Sequence, residues 1–415
     1  MKDVAGNEGR FGQKARRLLL AGALLGLGLA WPAGRLIAQE DDFERDDPPS
    51  APDRSRDPDV GPGPAEADGQ RTVHRNAVEV SPATRLAIQR GLEFLSKRQE
   101  KSGAYMDGIG RKVNNNYMAD LGEHVGVTGL VGMAFLSNGS TPGRGPYGKQ
   151  VEGCVDFLLT KVTPNGMVKN GDSRMYSHAF ATLFLAEVYG MAPSPKVQKG
   201  LQRAVNLIVS AQNEQGGWRY SPGAKDSDIS ITVCQVQALR AARNVGVRVP
   251  VRTISSAIEY VRKSYIPPGT AHHRQTGGFW YQVYENFRYR PSRTSFALTA
   301  AGVTALYGAG IYDGDEIRGG LRYLFDVRNR PASHEMRGSF DYFYGHYYAV
   351  QAFFQAGDGG ERPYWSMWYP WIRDQLVMGQ RPDGSWKDLV GPNYATAMSC
   401  VILQIPFRYL PIFER

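Results

Sequence analysis

Two aspartates separated by one residue, Asp226 and Asp228, stand just ahead of an apolar segment that opens with Ser230. A carboxylic acid held neutral in apolar surroundings can hand a proton to a poor base such as an alkene carbon. Acidic residues and serine at a helix start also cap its first N–H groups, and the helix dipole there lowers their pKa, which opposes that chemistry. His124, His178 and Cys234 form a second set. All three are zinc ligand types, and their convergence would leave an open coordination position. The same residues can instead be hydrogen-bonded structural histidines and a small core thiol. No cofactor is expected, with zinc at this triad as the alternative. A third set is mostly aromatic: Tyr176, Tyr342, Tyr344 and Tyr394, with His178, His346 and Arg293, could line a mouth for an apolar or sugar-like ligand. Asp172 and Asp341, taken with Asp226, Asp228, His178 and Tyr176, contain the residue types of glycosidases and polysaccharide lyases, although no spacing rule sets two of them across a substrate.

These residues are scattered from His124 to Tyr394, so the fold must gather them. A turn with glycine ahead of an aromatic or apolar residue recurs at Gly103-Ala104-Tyr105, Asn165-Gly166-Met167, Gly216-Gly217-Trp218, Gly277-Gly278-Phe279-Trp280, Gly338-Ser339-Phe340 and Gly384-Ser385-Trp386. The spacing is 62 residues from Trp218 to Trp280 and 60 from Trp280 to Phe340, long enough for two helices and two turns. An amphipathic segment precedes each turn: 83–99, 148–161, 197–212, 253–264, 315–327 and 368–380. A more apolar segment follows each: 125–136, 176–189, 230–245, 294–307, 344–355 and 394–407. Apolar residues at helical spacing with Lys and Arg between them predict an outer layer with one wet face, and the second set predicts a buried inner layer.

Six such pairs, closed by short connections and glycines such as Gly190, Gly246, Gly310 and Gly357, predict an all-α chain folded as an (α/α)6 toroid. An open array would leave an unburied face at each end. Aligning inner helices on Gly190 and Gly246 sets His178 and Cys234 at one depth. His346 falls within a residue of that depth, and His124 lies about a turn nearer the N-terminal mouth, which is the basis of the zinc alternative.

The strings Ser210-Ala211-Gln212-Asn213-Glu214-Gln215-Gly216-Gly217-Trp218 and Gly379-Gln380-Arg381-Pro382-Asp383-Gly384-Ser385-Trp386 resemble the QW repeat of squalene cyclases and protein prenyltransferase β-subunits. The resemblance covers about residues 85–410 and extends to secreted squalene-cyclase-like proteins of unassigned activity. It implies that Gln99, Gln212 and Gln380 end outer helices and that Trp218 and Trp386, with Tyr105, Trp280 and Phe340 as looser substitutes, stack near them. In the cyclases an aspartic acid of a DxDD motif protonates an alkene; Asp226 and Asp228 match the first two aspartates, and Ile229 stands at the third. Those enzymes are implied to use two α-barrel domains, and this chain has length for one. The prenyltransferases hold zinc with Asp, Cys and a distant His, and no Asp-x-Cys string occurs here.

The chain has 415 residues, 42% hydrophobic and 21% charged, enough to bury a large core. Its three cysteines, Cys154, Cys234 and Cys400, exclude a disulfide framework and any CxxC motif. Basic residues up to Arg17, the apolar run Leu18–Ala30 and the small residues after it predict a signal peptide over 1–38. That 13-residue run is short for a membrane span of about 20, so an N-terminal anchor is the lesser reading. Residues 39–75 are expected to be an acidic, Pro-rich flexible linker and 76–415 the toroid. Residues 1–38 carry six Lys/Arg against two Asp/Glu and 39–70 carry three against eleven, so the net +9 leaves +13 on residues 71–415. An exported, periplasmic or secreted basic domain is expected, with no nucleic-acid partner because no dense Lys/Arg run with interleaved aromatics occurs. Membrane contact is expected only through the leader. The leading expectation is binding of a small hydrophobic or acidic glycan-like ligand, or of a protein partner, at the inner-helix N-termini. The enzymatic alternatives are a terpenoid cyclase or isomerase acting through Asp228 and a glycan-degrading (α/α)6 enzyme.

Overall fold

The computed structural model describes residues 80–113, 116–269, 275–284, 293–328 and 341–414. The expected signal peptide, the linker and the Gly338-Ser339-Phe340 turn lie outside the described residues. The chain divides into two units, Met1–Gly69 and Gln70–Arg415, and every described residue belongs to the second.

The described part is mostly helical. Outer helices are α1 (Pro82–Ser96), α3 (Gly148–Thr160), α5 (Pro195–Ser210), α7 (Val251–Lys263), α9 (Asp315–Arg328) and α11 (Tyr364–Gly379). Inner helices are α2 (Val125–Leu136), α4 (Met175–Met191), α6 (Ile229–Asn244), α8 (Phe296–Gly308), α10 (Tyr342–Ala356) and α12 (Pro392–Gln404). Helix α5 shows the outer pattern: Val197, Leu201, Ala204, Val205 and Ile208 are buried, while Lys and Gln residues cover the other face. Every residue of α2 is buried. Each inner helix packs on the next, α2 on α4, α6, α8, α10 and α12 in turn, and α12 returns to α2. Gly126 and Gly129 of α2 permit the first of these approaches, since a Cβ at either would press on the backbone of Ser177 or of Phe180 in α4.

Three of the turns joining outer to inner helices share one hydrogen-bonding pattern. Gln212 Nε2 donates to the Gly216 carbonyl at 2.7 Å, closing its own turn, and to the Thr253 carbonyl of α7 at 2.8 Å, tying it to the next outer helix. Gln99 does the same with Gly103 and Gln150, and Gln380 with Gly384 and Ala87. Gly216 has φ +88°, and a Cβ there would collide with the Ser256 carbonyl. Two residues on, the Trp218 N–H meets Thr232 Oγ1 at 3.2 Å and its Nε1 donates to the Ile208 carbonyl at 2.7 Å. Trp386 repeats both bonds with Thr396 and Leu376. Counted from the left-handed glycine, the fourth turn sets Phe279, not Trp280, in this place: the Phe279 N–H meets Thr299 Oγ1 at 3.3 Å.

One element was not expected. Strand β1 (Met106–Val113) pairs antiparallel with β2 (Asn116–Glu123), in a register that sets Met106 opposite Glu123 and Gly110 opposite Ala119. The hairpin is fastened to the start of α12: the Gly108 N–H donates to Val390 O at 2.8 Å, and buried Asp107 accepts the Tyr394 N–H at 2.7 Å. All three cysteines are buried and free. Among the described residues no helix is long and apolar enough to cross a membrane.

Candidate functional site

The N-terminal ends of the inner helices open onto a cavity of about 350 Å³. Tyr176 of α4, Ser230 of α6, Tyr344 of α10 and Tyr394 of α12 line it. The loop ahead of α8 adds Tyr281 and Arg293, and the loop ahead of α6 adds Tyr220. Leu130, Phe180 and Leu298 supply apolar wall, and the hairpin contributes Ile109, Arg111 and Tyr117. Helix N-termini carry partial positive charge, and Arg111, Arg174 and Arg293 add full charges to the lining, so an anionic group is favoured there. Among the described lining residues Asp341 is the one carboxylate.

Asp228 sits directly behind this lining. It is the N-cap of α6, fully buried, and its Oδ1 accepts the Ile231 N–H at 2.8 Å and the Ser230 hydroxyl at 2.5 Å. Its Oδ2 lies 3.4 Å from the Tyr281 hydroxyl and 3.6 Å from Arg219 Nε. Burial pushes the carboxyl up to about 6, although the donors at Ser230 and Ile231 and the charge of Arg219 pull the other way. The capping expected of Asp228 is therefore present, but the expected lowering of its pKa is reversed, because desolvation outweighs the helix terminus.

Hydroxyls connect Asp228 to the cavity. Tyr176 donates to Ser230 Oγ at 2.7 Å, and Tyr220 and Tyr281 share a 2.7 Å hydrogen bond beside Oδ2. Tyr344 donates to the Ser230 carbonyl at 2.7 Å and its ring meets that of Tyr176 edge-on, with centroids 6.0 Å apart. Arg293 lies over the Tyr281 ring at 4.5 Å.

Tyr176, Arg293, Tyr344 and Tyr394 line the cavity. Asp226 does not: its side chain is about half exposed, accepts from Gln282 Nε2 at 2.9 Å and pairs with Arg219 at 3.5 Å. Tyr342, His178 and His346 are not among the residues that line the cavity. His346 is packed against Tyr342, Phe296 and Trp368, at ring separations of 4.6, 5.0 and 5.7 Å. The zinc triad is not assembled. His178 Nδ1 accepts the Val168 N–H at 3.0 Å and its Nε2 meets the Ala204 carbonyl at 3.2 Å, so both nitrogens are engaged. His124 Nδ1 caps α2 on the Val127 N–H, and Cys234 Sγ bonds the Ser230 carbonyl and the Tyr348 hydroxyl. Among the described residues no group of three His, Cys, Asp or Glu side chains is placed to hold a metal ion. Tyr220, Tyr281 and the hairpin residues were missed from sequence; the Tyr220 and Tyr281 positions follow the recurring turn by two residues, a signal that was available.

No family model matches the chain. The drimenyl diphosphate synthase of Streptantibioticus cattleyicolor is 25% identical over 368 residues, which cover 83% of this chain and 63% of that protein. The chain therefore spans less than two thirds of that relative's length. Type II terpene cyclase MstE from Scytonema superposes with a TM-score of 0.52 at 14% identity, covering 80% of this chain and 100% of the other. An inactive variant of α-1,6-mannanase GH76A from Salegentibacter, solved with α-1,6-mannotriose, superposes at 0.59 with 7% identity, covering 79% and 99%. What is shared with the solved structures is the fold. These likenesses include both a terpene cyclase and a glycan-degrading enzyme.

Proposed function

We propose that the closed helix series is a squalene-cyclase-like (α/α)6 toroid and that its cavity holds an isoprenoid bearing an anionic group, which the chain cyclises or isomerises by protonating an alkene. The observation that carries this reading is Asp228: a fully buried carboxyl, pushed up to about 6 and joined by hydroxyls to an aromatic cavity. A neutral acid next to an apolar, ring-lined space can protonate carbon, and tyrosine faces stabilise the cation that results. The arginines of the lining supply a seat for a charged head, and the relative's name specifies a diphosphate product. Length is no objection, because the type II terpene cyclase MstE is covered end to end by 80% of this chain.

The glycan-degrading alternative fits the fold less well at this site. Glycoside hydrolysis uses two carboxyl groups facing the sugar, and Asp341 is the one carboxylate among the described lining residues. The expected leader over 1–38 and linker over 39–75 would place the chemistry outside the cytoplasm. The reading is tested by incubating the full chain with farnesyl diphosphate and analysing the dephosphorylated products by gas chromatography and mass spectrometry. A cyclic or isomerised C15 alcohol is expected; recovery of farnesol alone would overturn it.

A further inference from the structure

Asp228 does not itself line the cavity, and it has no exposed surface. A proton that starts on this carboxyl and ends on a ligand must cross whatever separates them. On the Oδ1 side that is the Ser230 hydroxyl, at 2.5 Å, and beyond it the Tyr176 hydroxyl, 2.7 Å from Ser230 Oγ. Ser230 and Tyr176 both belong to the cavity lining, and they come from adjacent inner helices. Tyr344 fixes the Ser230 backbone from a third helix through its bond to the carbonyl, so the serine is held in register with both neighbours.

We infer that Ser230 and Tyr176 form a two-hydroxyl relay that carries the proton of Asp228 into the cavity, with Tyr176 as the group that delivers it. The inference rests on the acid role proposed for Asp228 and adds the route. In the step, the proton on Asp228 Oδ1 passes to Ser230 Oγ, the proton of Ser230 passes to Tyr176 Oη, and that of Tyr176 passes to an alkene carbon of the isoprenoid. The π electrons form the new C–H bond, a carbocation remains on the ligand and a carboxylate on Asp228. When the rearranged cation loses a proton, the relay runs backwards and restores the acid, so no other reactant is consumed; after the product leaves, the hydroxyl and carboxyl protons exchange with solvent before the next turnover. The two ends are matched to this traffic. In the ionised state both hydroxyls point toward Asp228, as the bonds run in the structure. Burial holds the Tyr176 phenol well above its ordinary range, so a tyrosinate does not accumulate and the protons move together.

Two readouts on the full chain test the relay. The first is the infrared carboxyl band of Asp228, assigned by its loss in Asp228→Asn and followed against pH. Ser230→Ala and Tyr176→Phe each remove a donated hydrogen bond in a chain that ends on the carboxylate, so ionisation is expected at higher pH in both, more so in Ser230→Ala. An unchanged ionisation in Tyr176→Phe would show that the chain is not continuous and overturn the relay. The second is turnover of farnesyl diphosphate. Tyr176→Phe is expected to lower kcat by about 100-fold or more with KM within about twofold, and the wild-type rate is expected to bow downward against the fraction of deuterium oxide, as for several protons in motion. A Tyr176→Phe protein that turns over at the wild-type rate while Asp228→Asn is inactive would overturn the relay and leave the acid in place. A shifted ionisation in both variants without any turnover by the wild type would support the relay and overturn the isoprenoid reading.

Discussion

His178 Nδ1 accepts the Val168 backbone N–H at 3.0 Å, in the position where Thr128, Thr232, Thr299 and Thr396 offer a hydroxyl to the backbone N–H of Tyr105, Trp218, Phe279 and Trp386. The second turn lacks both the glutamine and the large aromatic, and here an imidazole nitrogen, in place of a hydroxyl, accepts the backbone N–H. The histidine is thus a repeat residue in a substituted form. His178→Thr restores the common arrangement and is expected to cost about 1 kcal/mol or less, whereas His178→Ala strands a buried N–H and should cost about 1–3 kcal/mol. Urea unfolding of the two variants separates them.

The same imidazole gives a pH signature. Burial lowers His178 to about 4 from 6.5, so the unfolded chain binds its proton before the folded chain does. The residue's contribution is complete above about pH 6.5 and is lost as pH falls toward 4. His178→Thr should therefore unfold less steeply between pH 6.5 and 4 than the wild type, as read by circular dichroism; an identical acid limb would remove His178 from the account.

Glycine in the recurring turn is required by space as well as by φ. Gly216 (φ +88°) and Gly246 (φ +84°) have similar backbones, but a Cβ at Gly216 would run into the Ser256 carbonyl, and one at Gly246 meets nothing within 4 Å. Both alanine variants carry the left-handed strain of about 1 kcal/mol. Only Gly216→Ala should lose appreciably more, on the order of 2–4 kcal/mol in total, because α7 must move. Comparable melting temperatures for the pair would mean that the outer helices are not held at these glycines.

A carboxyl at the far end of α4 titrates in the opposite sense. Glu187 is buried and pushed up to about 8 by desolvation, while the backbone N–H of Ile412 and the charge of Arg240 pull it down. Between pH 4.5 and 8 the folded chain holds a proton that the unfolded chain has released, so this group's contribution falls as pH rises through that window. Glu187→Gln should flatten that decline and be the more stable protein at pH 8, measured by paired urea melts at pH 5 and pH 8.

The helices were legible because each buries a periodic apolar face: Val205 and Ile208 of α5 mark an outer helix, and the unbroken apolar run of α2 an inner one. The hairpin was not, since β1 contains Asp107, Gly108 and Gly110 in place of alternating apolar residues and owes its strand conformation to its partner and to α12. The cavity position of Tyr176, Tyr344 and Tyr394 is readable because each lies at the start of an inner helix. Tyr342 and His346, on the same helix as Tyr344, were misplaced because depth along a helix does not specify the face. The pKa of Asp228 differs from the local expectation for a related reason: its N-cap role is readable from the sequence, but the burial that outweighs it is a product of tertiary packing, which leaves the residue no exposed surface.

The most direct test of the central claim is turnover of farnesyl diphosphate in deuterium oxide by the wild type and by Asp228→Asn. The account predicts a cyclised or isomerised product carrying one solvent-derived deuterium on carbon, and a rate lower by about 10²–10⁴-fold in the variant. A variant that matches the wild type, or a rearranged product without solvent deuterium, would contradict it.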